Sequence, residues 1–176
     1  LAMGVDPTDE SVMNRPPRNM ADRIINKAMW WRVIYIGVIM GLVTLLSIDM
    51  FYPGGLIAGS DSLDTARTVG FTTLVLAQLF NALNSRSETQ SAFHHMTSNR
   101  WLWYAIGLGV ALQIMVVHVP FLQTAFGTTA LDPLHWAVAI GMASIVLWAE
   151  ELSKLVRRQL AKPVADTAPA AASQSA

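Results

Sequence analysis

Val33-Ile34-Tyr35-Ile36-Gly37-Val38-Ile39-Met40-Gly41-Leu42-Val43-Thr44-Leu45-Leu46-Ser47-Ile48 contains no charged side chain. With its flanks it fills residues 30–52, and about 20 apolar residues suffice for a helix to cross a hydrocarbon core about 30 Å thick. Outward from it, a window of ~19 residues finds three further stretches, at 66–85, 101–120 and 134–156, none with Lys or Arg in its middle. The pattern predicts an all-α membrane protein, a bundle of four transmembrane helices. Composition agrees: 53% of residues are hydrophobic, 14% are charged and the mean hydropathy is +0.40. The competing reading, a soluble bundle of helices apolar all round, does not account for where the charges lie.

Twelve basic and twelve acidic residues cancel to a formal charge of zero, so no global basic field attracts nucleic acid. Their distribution is uneven. Arg15, Arg18, Arg23, Lys27 and Arg32 precede or open the first span, Arg86 and Arg100 bracket the loop between the second and third, and Lys154, Arg157, Arg158 and Lys162 follow the fourth. Only Arg67 falls on the other side. Positive loops stay cytoplasmic during insertion, so both termini are expected in the cytoplasm. Trp30, Trp31, Trp101 and Trp103 then mark inner boundaries and Tyr52 and Trp136 outer ones, as amphipathic rings prefer the headgroup region. Trp148 lies too deep for this belt.

Three regions follow: a polar cytoplasmic loop at 1–29, the bundle at 30–158 and a tail at 159–176. The tail has little to bury and is expected to be disordered. Leu1-Ala2-Met3-Gly4 has neither an initiator methionine nor a signal-peptide pattern and reads as a cut inside a longer chain. The absence of cysteine excludes disulfides and thiolate metal sites. Small residues four apart, Gly37 with Gly41, Gly107 with Ala111 and Ala137 with Gly141, predict surfaces where helix backbones approach closely.

The first loop holds Leu1, Ala2, Gly4, Asp6, Pro7, Asp9, Met13, Arg15, Pro16, Pro17 and Arg18, and the second span ends in Phe80-Asn81-Ala82-Leu83-Asn84-Ser85-Arg86-Ser87-Glu88. On physics alone the first is a basic connector stiffened by Pro7, Pro16 and Pro17. In order and spacing the two motifs resemble calcium-pump-type P-type cation-transporting ATPases, over the loop before the seventh membrane helix and the cytoplasmic end of the eighth. The resemblance runs from Leu1 to about Arg158. It implies that the four spans are the seventh to tenth helices of an ATP-driven cation pump, with Ca²⁺ as the implied cation. It also implies that Asp6, Pro7, Asp9, Arg15, Pro16, Pro17 and Arg18 form a loop coupling the bundle to a phosphorylation domain. The implied partners are the lipid bilayer, the remaining transmembrane helices, that domain and the transported cation, with a multi-pass location in the plasma membrane. ATP and Mg²⁺ are implied for the parent pump. This chain has no Asp-Lys-Thr-Gly-Thr and no glycine-rich phosphate loop, so it is not expected to hydrolyse ATP alone and no catalytic residue is assigned.

Gln78 is an amide inside an otherwise apolar stretch, with Asn81 at i+3 and Ser85 at i+7 on one face. A buried amide without a partner costs a few kcal/mol, so this face is expected to turn toward other helices. Two roles stay open: amide carbonyls suit hard cations such as Ca²⁺, and the same amides can serve as hydrogen bonds between helices, at roughly 0.6 to 2 kcal/mol each. The resemblance places Gln78 where two-ion members of the family carry a glutamate that helps bind calcium. A neutral amide there implies a one-ion stoichiometry, as in the secretory-pathway and plasma-membrane branches.

The remaining polar residues read as boundary features. His94 and His95 lie in the loop after the second span; His118, His135 and Asp49 mark outer ends. Glu150 with Lys154 at i+4, and Glu151 toward Lys154 and Arg158, read as interfacial ion pairs worth about 0.3 to 0.5 kcal/mol if exposed. The alternative function is a freestanding four-span interaction or regulatory protein without transport. An independent channel would need a more polar lining than these spans offer.

Overall fold

A computed structural model describes residues 27–56, 62–85 and 100–160. Five helices follow in order: α1 Lys27–Phe51, α2 Leu63–Asn84, α3 Arg100–His118, α4 Pro120–Phe126 and α5 Pro133–Leu160. No strand occurs among the described residues. The loop residues Asp6, Pro7, Asp9, Arg15, Pro16, Pro17 and Arg18, the pair His94 and His95, and the tail from 161 onward lie outside them.

Three helices are long and apolar enough to cross a membrane: Met29–Phe51, Arg100–His118 and Pro133–Arg157. The expected second span is a helix too, 22 residues or about 33 Å long, but it is less apolar. Thr65, Thr68, Thr72, Thr73, Gln78, Asn81 and Asn84 dilute its hydrophobicity. That polarity is sheltered, because α2 is the central element: it packs against α1, α3 and α5, while α1 also packs on α5.

Packing depends on small residues along these faces. Ala66 and Ala77 of α2 and Ala139 and Ala143 of α5 are fully buried, filled in by Met40, Val43 and Phe51 of α1 and by Val146. A Cβ at Gly70 would land inside the Ile48 side chain, and one at Gly109 would lie 2.9 Å from Leu79 Cδ2. The glycines of the small-residue pairs expected from sequence behave differently. Gly37, Gly41, Gly107 and Gly141 have nothing within 4 Å of a Cβ position, and Ala111 and Ala137 are exposed. Spacing marks a smooth face; it does not say which face a neighbour covers.

The connections follow local chemistry. After α1, Gly55 N–H donates to Tyr52 O at 2.7 Å, with Pro53 and Gly54 (φ 84°) between them, the pattern of a type II turn. Ser62 caps α2 by accepting from Thr65 N–H at 3.2 Å. The third expected span stops earlier than its apolar run, because Pro120 has no N–H to give to Val116 O. The Thr128 hydroxyl donates to that carbonyl instead, at 2.7 Å, and Gln123 Nε2 donates to Val117 O at 2.6 Å. Pro120 thereby opens the short helix α4, which closes on Gly127 in the left-handed region (φ 65°).

Candidate functional site on the open face of α2 and a buried polar node

The distribution of polarity is inverted relative to a protein in water. Trp31, Leu45, Tyr104, Leu108, Phe121 and Trp148 are all more than half exposed, whereas Ser47, Thr68, Thr72, Thr73, Asn84, Gln113, His135, Glu150 and Lys154 are buried. In hydrocarbon solvent, polar groups must be satisfied inside the bundle. Trp148, anomalous as a belt residue, lies on this apolar exterior.

Gln78 lies on the side of α2 left open by α1, α3 and α5, in a stripe with Arg67, Phe71 and Leu74 at helical spacing. Asn81 is half-buried. Among the described residues neither amide side chain makes a hydrogen bond. One amide that does join helices is absent from the sequence reading: Gln113, buried in α3, donates from Nε2 to Thr72 Oγ1 on α2 at 2.9 Å. Its signal was available, since a lone amide in the middle of an apolar stretch is the same feature that singled out Gln78.

Six residues beyond Gln78, α2 ends in a polar node. Asn84 Nδ2 donates to Val146 O at 3.5 Å, and Lys154 Nζ donates to the backbone oxygen of Asn84 at 3.2 Å. Lys154 also pairs with Glu151 Oε1 at 3.3 Å. Val146, Glu150 and Lys154 repeat every four residues on one face of α5, so Glu150 sits between the two positions that hold Asn84. Arg32 Nε of α1 lies 2.7 Å from Glu150 Oε1. That ion pair lacks hydrogen-bond geometry, and both Glu150 carboxylate oxygens and Asn84 Oδ1 are buried without a hydrogen-bond donor among the described residues.

This corrects the reading of Glu150 and Lys154 as an interfacial ion pair with each other. Both are buried, at 1% and 2% exposure; Glu150 pairs with α1, and Lys154 with Glu151 and α2. His135 is also buried within the bundle: its Nδ1 accepts from Asp132 N–H at 3.1 Å and its ring meets Phe51 edge-on at 4.7 Å. His118 stacks on Trp136 with ring centroids 6.3 Å apart. Among the described residues, no three His, Cys, Asp or Glu converge on one point.

Residues 1–156 match the family described as cation transporting ATPase, C-terminus. The chain is 31% identical over 159 residues to a calcium-transporting ATPase of Bacillus subtilis, covering 90% of this chain and 17% of that protein. It is 33% identical over 162 residues to human calcium-transporting ATPase type 2C member 1, covering 92% and 17%. With a calcium-transporting ATPase 1 of Yarrowia lipolytica it shares 34% identity over 154 residues, covering 87% and 16%. The chain therefore spans about a sixth of the length of these relatives.

Proposed function

The chain belongs to the C-terminal family of cation-transporting ATPases, and from that premise we propose that it is the supporting half of the membrane domain of an ATP-driven Ca²⁺ pump. In this reading α2 crosses the membrane with α1, α3 and α5, giving four spans with both termini in the cytoplasm. The observation that carries it is the asymmetry of α2. Three helices shelter its threonines and Asn84, while the stripe bearing Gln78 stays uncovered.

An amide facing hydrocarbon is costly, so the uncovered stripe is the side on which the remaining transmembrane helices of the pump pack. Gln78 then offers one carbonyl oxygen to a cation held mainly by those helices, with Asn81 one turn away. The segment containing Asp6, Pro7, Asp9, Arg15, Pro16, Pro17 and Arg18 contacts the phosphorylation domain. ATP and Mg²⁺ belong to that other part of the pump: this chain's residues do not fit them, having no phosphate-binding loop and no phosphorylatable Asp-Lys-Thr-Gly-Thr.

The test is co-expression with the upstream part of the pump in membrane vesicles. ATP-driven uptake of Ca²⁺ is expected only when both parts are present. Uptake by the upstream part alone, undiminished by the absence of this chain, would sink the proposal.

A further inference from the structure

At the inner end of α2, charge is buried at a place where apolar residues would pack at lower cost. Taking ions out of water is expensive, and a buried ion pair is often no more stabilising than a hydrophobic replacement. Here Glu150 and Lys154 of α5 are 1% and 2% exposed and Asn84 is fully buried. The node draws on three helices, α1 through Arg32, α2 through Asn84 and α5 through Glu150, Glu151 and Lys154.

Its geometry concerns the termination of α2. The last carbonyls of a helix have no partner within it. On α2, Ser85 N–H donates to Asn81 O at 2.9 Å and the Ser85 hydroxyl to Ala82 O at 2.9 Å. The carbonyl of Asn84 is taken by Lys154, 70 positions away on α5. A cation at a helix C-terminus is also favoured by the helix dipole. Meanwhile the Asn84 side chain reaches Val146 O, two turns or about 12 Å along α5 from Lys154. Two attachments so separated fix both the height of α2 against α5 and its rotation about its own axis. Glu151 balances the charge of Lys154, and Arg32 balances Glu150.

We infer that Lys154 is a positioning residue for cation binding: by capping α2 from α5 it sets the rotation of α2, and so the direction in which Gln78 and Asn81 present their carbonyl oxygens. The inference rests on the reading of the uncovered α2 stripe as cation-facing. Lys154 touches no cation itself. Loss of the cap frees the inner end of α2 to turn, which weakens cation binding without touching the machinery that hydrolyses ATP.

The experiment uses the full-length pump in detergent or vesicles, with Ca²⁺ as the probe and ATPase activity as the readout, normalised to folded protein by size-exclusion chromatography. Lys154→Met is expected to raise the Ca²⁺ concentration for half-maximal activity about tenfold, the scale of one charge-assisted hydrogen bond, with the maximal rate within about twofold. Lys154→Arg, which keeps a donor and a charge, is expected to recover most of the shift. Where Lys154→Met does not accumulate as folded protein, Glu151→Gln is the second variant, with about a threefold shift expected in the same direction from a less well-held Lys154. Gln78→Ala separates the two layers. If it leaves the Ca²⁺ dependence unchanged, the cation-facing reading is overturned and this inference with it. If Gln78→Ala shifts the dependence while the folded Lys154→Met, or Glu151→Gln in its place, does not, the inference alone is overturned. A fall in maximal rate at unchanged Ca²⁺ dependence also overturns it, since that marks a purely structural part.

Discussion

Gln113 shows how one polar atom pair joins two helices in lipid. Its Nε2 donates to Thr72 Oγ1 at 2.9 Å, and at 3% exposure no water competes. Measured hydrogen bonds of this kind between membrane helices average about 0.6 kcal/mol and reach about 2, so Gln113→Leu is expected to lower bundle stability by about 1 kcal/mol. The loss is asymmetric, because removing one partner strands the other. Adding Thr72→Val to Gln113→Leu should therefore recover part of the stability, giving a sub-additive cycle by denaturation in mixed micelles. Strict additivity would mean that the two side chains do not share a bond. Gln78 provides the contrast: the same amide chemistry, placed where none of the described helices reaches it.

At the scale of elements, α1 and α2 meet through an absent side chain. A Cβ at Gly70 would clash with Ile48 Cγ1 and Cδ1, and a branched side chain close to the backbone has little freedom to move aside. Gly70→Val is expected to cost about 1–3 kcal/mol by overpacking, with Ile48→Ala in the same chain relieving it in part. Gly37→Ala, which meets nothing within 4 Å, should stay within about 0.5 kcal/mol in the isolated chain. The comparison checks whether close approach, and not glycine itself, sets the crossing. Within this chain, the glycines singled out by their spacing meet no neighbour, while Gly70 and Gly109 do. Hydropathy and length located the three helices apolar enough to cross a membrane to within a few residues, because a lipid-exposed helix announces itself residue by residue; α2 is a helix where a fourth span was expected, but its sheltered polar residues leave it less apolar. The α4 helix carried readable local signals as well, Pro120 at its start and Gly127 at its end, but they lay in a stretch short enough to pass for a loop. Facing was illegible. Glu150 and Lys154 resemble an exposed i,i+4 pair because helical spacing says nothing of what stands opposite. Their partners, Arg32 and Asn84, are on other helices.

For the whole molecule, the inverted polarity and the charge bias bear on different questions. A polar interior beneath an apolar exterior says that the bundle lives in lipid, while the position of Lys and Arg says which way it enters. Arg157 at the end of α5 and Arg32 at the start of α1 lie at the same end of the bundle, since Arg32 pairs with Glu150, two helical turns before Arg157 on α5. The turn joining α4 to α5 lies at the opposite end, beside the start of α2, where Thr129 N–H donates to Thr68 Oγ1 at 3.1 Å. That α4–α5 turn carries no basic residue. The positive-inside bias therefore predicts Gln159 in the cytoplasm and Ala130 outside. Since the chain has no cysteine, single-cysteine labelling needs no background removed, and both residues are exposed. In intact cells, Ala130→Cys is expected to react with a membrane-impermeant maleimide, and Gln159→Cys only after permeabilisation. Labelling of both from the same side would rule out α5 as a crossing helix. A reversed pattern would leave the four-helix packing intact and overturn its direction, which would also put the node around Lys154 on the side away from any cytoplasmic phosphorylation domain.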